Sequence, residues 1–235
     1  RVGVTENPWR NQQLKEKLQD GLALIEKRVV GQRQATQRVL DLLTRSAMGL
    51  TAAHQPKAGS GVRGVLYFAG PTGVGKTEMA KAIAELVFGK EDALIRFDMS
   101  EFSHEASEAR LIGSPPGYIG HNAGGELTNA VRSKPFSVVL FDEIEKASDS
   151  LWQLLLGILD KATLTLGDNR RVDFSKTVVI LTSNLGAREM SDMISGGIGF
   201  APTKQDKAKE DNEIDTKIYR TALEAAKRKF SPEFM

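Results

Sequence analysis

The stretch of sequence that decides the fold reads Val65-Leu66-Tyr67-Phe68-Ala69-Gly70-Pro71-Thr72-Gly73-Val74-Gly75-Lys76-Thr77. Its apolar first part predicts a buried strand, because a short uninterrupted apolar run is typical of strands covered on both faces. The glycine-rich part follows the phosphate-loop pattern Gly-x-x-x-x-Gly-Lys-Thr, and residues from about Lys76 to Phe88 predict a helix directly after it. A strand before the loop and a helix behind it favour a phosphate site over a chance glycine-rich turn.

The loop contains the residue types that binding a nucleotide phosphate requires. Glycines let successive backbone N–H groups turn towards phosphate oxygens, since a Cβ would block the approach, and the helix adds the positive end of its dipole. Lys76 is expected to reach the β- and γ-phosphates, and the Thr77 hydroxyl to ligate Mg²⁺. We therefore predict ATP or ADP with Mg²⁺ as cofactors, bound by Thr72, Gly73, Val74, Gly75, Lys76, Thr77 and Glu78.

Beyond the loop, apolar runs alternate with helical patterns. Strands are predicted at 94–98, 137–141 and 177–181, and helices at 124–132 and 149–159. Such alternation favours a parallel sheet with helices on both faces, so we expect a three-layer α/β P-loop fold.

Further helices are predicted on either side of this core. Two of them, at 9–27 and 32–52, precede a loop at 54–63. A last helix is predicted at about 218–230, behind a polar stretch at 202–215 that we expect to be mobile. The chain is interpreted as one ATPase domain made of N-terminal helices and a linker at 1–63, a P-loop core at 64–189, and a mobile insertion with the final helix at 190–235.

The bulk composition narrows the class of protein. Of 235 residues, 40% are hydrophobic and 26% are charged, an ordinary proportion for a domain with a buried core. The 32 basic and 30 acidic side chains nearly balance, which argues against a nucleic-acid or anionic-membrane partner. The absence of cysteine excludes disulfides and thiolate metal sites. No apolar run approaches the roughly 20 residues that span a bilayer, and the first residues lack a secretion-signal pattern, so the cytoplasm is the expected location.

Two acidic residues follow the predicted strand at 137–141. In P-loop enzymes an acid at the end of a neighbouring strand helps to hold Mg²⁺, which assigns Asp142 to the metal together with Thr77. Glu143 is then the predicted general base that polarises the attacking water. The alternative is a buried strand that ends in ordinary surface acids.

Asn184 follows the predicted strand at 177–181. Its amide is predicted to orient water or to contact the γ-phosphate, which makes Asn184 a catalytic candidate beside Glu143 and Lys76. The alternative is an Asn that caps the helix beginning near Leu185.

Taken in order, these motifs resemble those of the AAA+ ATPases, and in particular the large subdomain of the second, C-terminal ATPase module of Clp-type unfoldases and disaggregases. The resemblance implies that Val29 and Val30 contact the adenine base. It extends along nearly the whole chain and is carried by Val29-Val30-Gly31-Gln32, Arg96-Phe97-Asp98-Met99-Ser100-Glu101-Phe102, Leu111-Ile112-Gly113-Ser114-Pro115-Pro116-Gly117-Tyr118-Ile119-Gly120, Asp142-Glu143-Ile144-Glu145-Lys146-Ala147, Arg171-Val172-Asp173-Phe174 and Thr182-Ser183-Asn184-Leu185-Gly186.

The resemblance also implies a hexameric ring that threads unfolded or aggregated polypeptide through a central pore. Tyr118 and Ile119 would then lie on the loop that grips the substrate. The residues themselves favour an exposed Tyr118, because it stands between glycines on a proline-bounded loop; the alternative is an aromatic packed on the domain surface. Residues 164–171 resemble a second pore loop but on their own predict only a hairpin connection.

A shorter similarity concerns Ile198, Gly199 and Phe200. They resemble the tripeptide with which Clp proteins that feed a peptidase dock onto it, which implies a peptidase partner. The alternatives are a turn with an apolar anchor or an insertion of another purpose.

The sequence departs from the family pattern at its end. In the family, the phrase at 231–235 is followed by Asn-Arg, a fifth strand and a small helical subdomain, and that arginine reaches the γ-phosphate of the neighbouring subunit. An arginine finger contributes roughly 10³- to 10⁵-fold in rate. The fragment is therefore expected to bind nucleotide but to hydrolyse it poorly.

Two other classes of function are alternatives to an ATP-hydrolysing Clp-type chaperone module. A nucleic-acid remodelling P-loop ATPase shares the chemistry but requires a basic groove or stacking aromatics, and aromatic residues make up only 6% of the chain. A nucleotide-gated scaffold that binds without hydrolysing is opposed by the intact Lys76, Thr77, Asp142 and Glu143.

Overall fold

Four parallel strands form the central sheet of the chain, and two short antiparallel strands form a hairpin. The computed structural model describes residues 7–50, 61–114, 124–165, 171–187, 190 and 204–229. The described strands are β1 (Gly64–Ala69), β2 (Leu94–Asp98), β3 (Val138–Asp142), β4 (Thr163–Thr165), β5 (Arg171–Asp173) and β6 (Val178–Ser183). The sheet order is β1-β6-β3-β2. β4 and β5 pair as the hairpin, which agrees with the connection predicted at 164–171.

Helices precede the sheet, connect its strands and follow β6. They are α1 (Gln12–Gln19), α2 (Gly21–Glu26), α3 (Arg33–Ala47), α4 (Lys76–Phe88), α5 (Glu105–Ile112), α6 (Glu126–Ser133), α7 (Asp149–Lys161) and α8 (Lys204–Lys229). Among the described residues, no helix combines the length and the apolar character needed to cross a bilayer.

The sheet is covered on both faces. In β3, Val138 and Leu140 pack into an apolar cluster with residues of α1 to α4, whereas Val139 and Phe141 pack into a second cluster with residues of α5 to α7. Every residue of β3 and β6 is buried. These strands therefore need apolar side chains on both sides, which explains the run of four apolar residues with which each begins. The predicted three-layer α/β P-loop fold is confirmed.

The position of β6 determines where the functional groups meet. β6 is the last of the described strands in sequence but lies between β1 and β3, with Ser183 opposite Ala69 and Leu181 opposite Phe141. The carboxyl ends of these strands therefore lie side by side, and in open parallel α/β sheets ligands bind beyond those ends. The phosphate loop, the acid pair and Asn184 each follow one of the three strands.

Three helices differ from the sequence expectations. The first predicted helix is divided at Asp20, whose backbone (φ −92°, ψ 5°) leaves the helical region, into α1 and α2. α5 was not predicted, since its eight residues are too few to show a periodic apolar face. α8 starts at Lys204 instead of about Ile218, so the stretch expected to be mobile is helical from Lys204 onward. Its low hydrophobicity argued against burial, but its many Lys, Glu, Gln and Ala residues have high helix propensity.

Candidate nucleotide-binding site

The phosphate loop turns from β1 into α4 through two glycines with left-handed backbones. Gly73 has φ 86° and Gly75 has φ 96°, conformations that residues with a Cβ rarely adopt. A Cβ added to Gly75 would also lie 3.2 Å from Cγ1 of Val29, a tight contact. Both the left-handed backbone and the closeness of Val29 therefore require glycine at position 75. Gly75 is also the residue that directly precedes α4.

The loop amides are available to a ligand. Within the described residues, the backbone N–H groups from Thr72 to Gly75 make no hydrogen bond to the protein, and α4 directs the positive end of its dipole to the same place. Unpaired amides at the start of a helix form a concave donor set that suits phosphate oxygens. The loop thus fits the predicted nucleotide phosphates.

Lys76 is folded back onto the loop. Its Nζ donates to the carbonyl oxygens of Gly70 (2.5 Å) and Pro71 (3.0 Å) and to Oδ1 of Asn184 (2.8 Å). Burial lowers the pKa of Lys76 from its ordinary value, while the negative charges of Asp142, Glu145 and Glu143 act in the opposite direction. The half-buried ammonium of Lys76 interacts with these carboxylates only at a distance. A bound phosphate would give it an anionic partner in direct contact.

Asn184 connects two predicted catalytic residues. Its side-chain oxygen accepts the hydrogen bond from Lys76, and its Nδ2 donates to Oε1 of Glu143 (3.1 Å). Both polar atoms of the Asn184 side chain therefore form hydrogen bonds within the site, and the side chain does not cap the turn that follows it. This bridge exists because Asn184 follows β6, which separates the strand before Lys76 from the strand before Glu143.

Asp142 is buried at the end of β3 and held from two directions. Its Oδ1 accepts from the hydroxyl of Thr182, and its Oδ2 accepts from Nε (3.0 Å) and Nη2 (2.6 Å) of Arg96. Oδ2 thus accepts two hydrogen bonds, whereas Oδ1 accepts one and keeps a further lone pair, which suits contact with a metal through water.

The groups present fit Mg²⁺ better than a metal caged by the protein. The described part of the chain contains no group of three or more His, Cys, Asp or Glu side chains that could hold a metal ion. Mg²⁺ is commonly bound by one or two protein oxygens together with substrate phosphates and waters. The Thr77 hydroxyl and the Asp142 carboxylate remain the protein oxygens that are predicted to bind it.

Glu143 has an unusual backbone for a residue with a Cβ. Its φ of 55° and ψ of 50° lie in the left-handed region, which costs about 1–3 kcal/mol and is commonest at functional sites. Its N–H donates to Oγ1 of Thr182 (3.1 Å), which helps to hold this conformation. Its carboxylate accepts from Asn184 and from Nζ of Lys146, and this pairing raises the pKa of Lys146.

Three residues that support the site were missed by the sequence analysis. Arg96 and Thr182 hold Asp142, and Oε1 of Glu145 accepts from the backbone N–H of Asn184 (3.0 Å). A signal existed for each: Arg96 is a charged residue in the middle of a predicted strand, between apolar neighbours; Thr182 lies directly before Ser183-Asn184; and Glu145 belongs to an Asp-Glu-x-Glu run.

The segment implied to contact adenine lies beside the loop. Val29 is buried against Gly75, whereas Val30 is 84% exposed. The preceding Arg28 forms ion pairs with Glu78 (3.8 Å) and Glu85 (3.0 Å) of α4 and with Glu91 (2.7 Å) just beyond that helix.

The remaining predicted site residues divide into two groups. Glu78 pairs with Lys81 (2.8 Å) as well as with Arg28, so its carboxylate belongs to a surface ion network in this structure. Tyr118 and Ile119 of the expected pore loop, and Ile198, Gly199 and Phe200 of the expected docking loop, lie outside the described residues.

Comparison with known proteins identifies the class that this fold and site define. Residues 63–235 match the family model of the AAA domain (Cdc48 subfamily), so the chain belongs to this family of ATPases.

Individual relatives agree with the predicted Clp resemblance. The chain is 46% identical over 208 residues to the ATP-dependent Clp protease ATP-binding subunit ClpC of Staphylococcus saprophyticus, which covers 88% of this chain and 24% of that protein. The ClpC subunits of Staphylococcus epidermidis and Staphylococcus aureus (strain USA300) are each 44% identical to it over 211 residues. Each of these matches covers 90% of this chain and 24% of the relative. The chain thus spans about a quarter of the length of these relatives. The resemblance to Clp-type AAA+ ATPases is confirmed.

Proposed function

We propose that the chain is the ATP-binding and ATP-hydrolysing module of a Clp-type ring chaperone. The observation that carries the proposal is the bridge by which Asn184 accepts from Lys76 and donates to Glu143. Asn184 thereby holds Lys76, a cation that can bind phosphate, and Glu143, a carboxylate that can act as a base, next to the unpaired loop amides. Such a constellation suits phosphoryl transfer to water, in which the protein contributes positioning and electrostatic stabilisation.

In the proposed reaction, each group has a defined task. The loop amides and the start of α4 bind phosphate oxygens, and Lys76 exchanges its carbonyl partners for the β- and γ-phosphates. Thr77 and Asp142 would hold Mg²⁺, which would neutralise charge on the phosphates. Glu143 accepts a proton from the water whose oxygen attacks the γ-phosphorus, while the bond from that phosphorus to the ADP oxygen breaks. The products are ADP and inorganic phosphate.

The wider role rests on the resemblance and on the relatives' names. Proteins similar to this chain are ATP-binding subunits of ATP-dependent Clp proteases. We propose that the chain works in a hexameric ring, that Tyr118 and Ile119 contact unfolded or aggregated polypeptide in the pore, and that Ile198-Gly199-Phe200 docks onto a peptidase. Hydrolysis by the isolated chain is expected to be slow, because an arginine from a neighbouring subunit completes the site in the family.

A binding experiment tests the nucleotide site directly. Titrating this chain with fluorescent ADP and ATP analogues should give saturable, Mg²⁺-dependent binding. Lys76→Ala removes a charged donor to phosphate and is expected to weaken binding on the order of 100-fold. Lys81→Ala is the matched control, since Lys81 lies on the same helix and pairs with Glu78 and Glu91 on the surface.

The control variant is expected to stay within about twofold of the parent. If the parent does not bind nucleotide, or if both variants lose affinity equally, the proposed site is wrong. ATPase stimulation of the full-length protein by unfolded polypeptide, compared with DNA and RNA, tests the chaperone role separately.

A further inference from the structure

Glu145 lies two residues beyond Glu143, in the short 3₁₀ turn Ile144–Lys146. The left-handed backbone of Glu143 turns the chain, so that the two glutamates reach different parts of one residue. Glu143 accepts from the side chain of Asn184, and Glu145 accepts from its backbone N–H at 3.0 Å. Asn184 is thus held at both its side chain and its backbone by the same short segment.

The backbone of Asn184 needs such support because the strand ladder ends before it. The last residue of β6 is Ser183, which pairs with Ala69 of β1. Asn184 is the first residue past that pair, so no neighbouring strand fixes its N–H. Oε1 of Glu145 takes the place of the missing ladder acceptor, and a hydrogen bond to an ionised carboxylate is stronger than one to a carbonyl.

The second oxygen of Glu145 indicates that this arrangement costs stability. Oε2 is buried and has no hydrogen-bond partner in the part of the chain that the structure describes, and an unpaired buried carboxylate oxygen is unfavourable. The charge of Glu145 also opposes the burial-induced lowering of the pKa of Lys76. Packing alone therefore does not explain why Glu145 lies at this position, whereas a role in the nucleotide site does.

We propose that Glu145 is a positioning residue of the nucleotide site, which fixes the backbone of Asn184 so that its amide stands between Lys76 and Glu143 and can contact the γ-phosphate. Glu145 acts through Asn184 and touches no substrate itself. The inference rests on the proposed ATP site. Glu145 would help this site to distinguish nucleotides that have a γ-phosphate from those that lack one.

Calorimetric affinities of this chain for ATPγS and for ADP test the proposal without relying on hydrolysis. Glu145→Ala should lower the ratio of ATPγS affinity to ADP affinity by about tenfold, the effect of one hydrogen bond to a charged group, with ADP affinity within about twofold of the parent. Glu145→Gln keeps an acceptor oxygen and should retain most of the ratio. Should the alanine variant not fold, Glu145→Leu, which keeps bulk but accepts no hydrogen bond, takes its place.

Two further variants complete the design. Asn184→Ala should lower the ratio at least as much as Glu145→Ala, and the double variant should be no worse than Asn184→Ala, because residues acting through one another are not additive. Glu101→Ala is the matched control for loss of a negative charge, since Glu101 is exposed and pairs with Arg110.

The outcomes separate this inference from the proposed function. A parent-like ratio in Glu145→Ala, with a lowered ratio in Asn184→Ala, overturns the role of Glu145 and leaves the ATP site standing. An equal loss of both nucleotides in Glu145→Ala shows a merely structural role and also overturns it. A parent that binds neither nucleotide overturns the proposed function and the inference together.

Discussion

Asn184 accepts a hydrogen bond from Lys76 at 2.8 Å, although 108 residues separate the two in sequence. The contact joins the first residue of α4, which follows β1 through the phosphate loop, to the residue after β6. With the second bond of Asn184, to Glu143, it makes the carboxyl edge of the sheet a single hydrogen-bonded unit.

Glu143→Gln should separate binding from hydrolysis. The amide keeps an oxygen that can accept from Asn184 but cannot take a proton from water, so the rate should fall on the order of 10²- to 10⁴-fold. Single-turnover phosphate release measures the rate even if it is slow, and nucleotide affinity should stay within about twofold of the parent. Glu101→Gln is the control. An unchanged rate in Glu143→Gln would remove the residue from the role of base.

Gly75→Ala should abolish most nucleotide binding. The φ of 96° is strained for alanine, and the added Cβ would press on Cγ1 of Val29 at 3.2 Å, so the loop must shift. Gly157→Ala is the matched control, because Gly157 lies within α7 and its new Cβ would meet no atom within 4 Å. That control should gain about 0.5–1 kcal/mol in the free energy of unfolding. Binding titrations and thermal melts measure both effects; equal nucleotide affinity in the two variants contradicts the assignment.

Tyr67 should make the protein sensitive to alkaline pH. Burial, the largest effect, and the charge of Glu145 raise the pKa of Tyr67 above its ordinary value of 10.0, while a hydrogen bond with Ser183 lowers it. The folded state therefore holds this proton more tightly than the unfolded state, and the stabilisation is fully present below pH 10.0 and lost as pH rises towards the raised pKa.

The test compares urea unfolding between pH 8 and about pH 11. Tyr67→Phe should lose less stability above pH 10 than the parent. Tyr219→Phe, which changes an exposed tyrosine, should keep the parent's slope. If Tyr67→Phe and the parent have the same slope, burial does not raise this pKa.

Phe141→Ala should severely destabilise the fold. Phe141 is 1% exposed in the middle layer and stacks on Phe97 at 6.1 Å between ring centroids. Truncating a buried Phe costs about 3–5 kcal/mol in the free energy of unfolding. Leu24→Ala, at a side chain 39% exposed, should cost under about 1 kcal/mol. Equal midpoints of the two variants in chemical denaturation would contradict the position of Phe141 in the core.

Much of the fold was predictable because its signals are local. The apolar runs at 65–69 and 94–98 mark strands, and the structure places β1 and β2 there. The prediction failed where the local signal had two readings. The polar residues at 202–215 were predicted to be mobile because they lack large apolar side chains, yet the backbone from Lys204 onward is helical.

The sequence by itself determined the chemistry available at the site: a glycine loop with Lys76 and Thr77, an acid pair, and an Asn after a buried strand, because these follow from residue types at short spacing. Only the tertiary structure decided which groups meet. The insertion of β6 between β1 and β3 brings Asn184 to Lys76 and Glu143, and the left-handed turn at Glu143 brings Glu145 to the backbone of Asn184. Strand order and side-chain direction arise from packing across the whole sheet, so no local pattern encodes these hydrogen bonds.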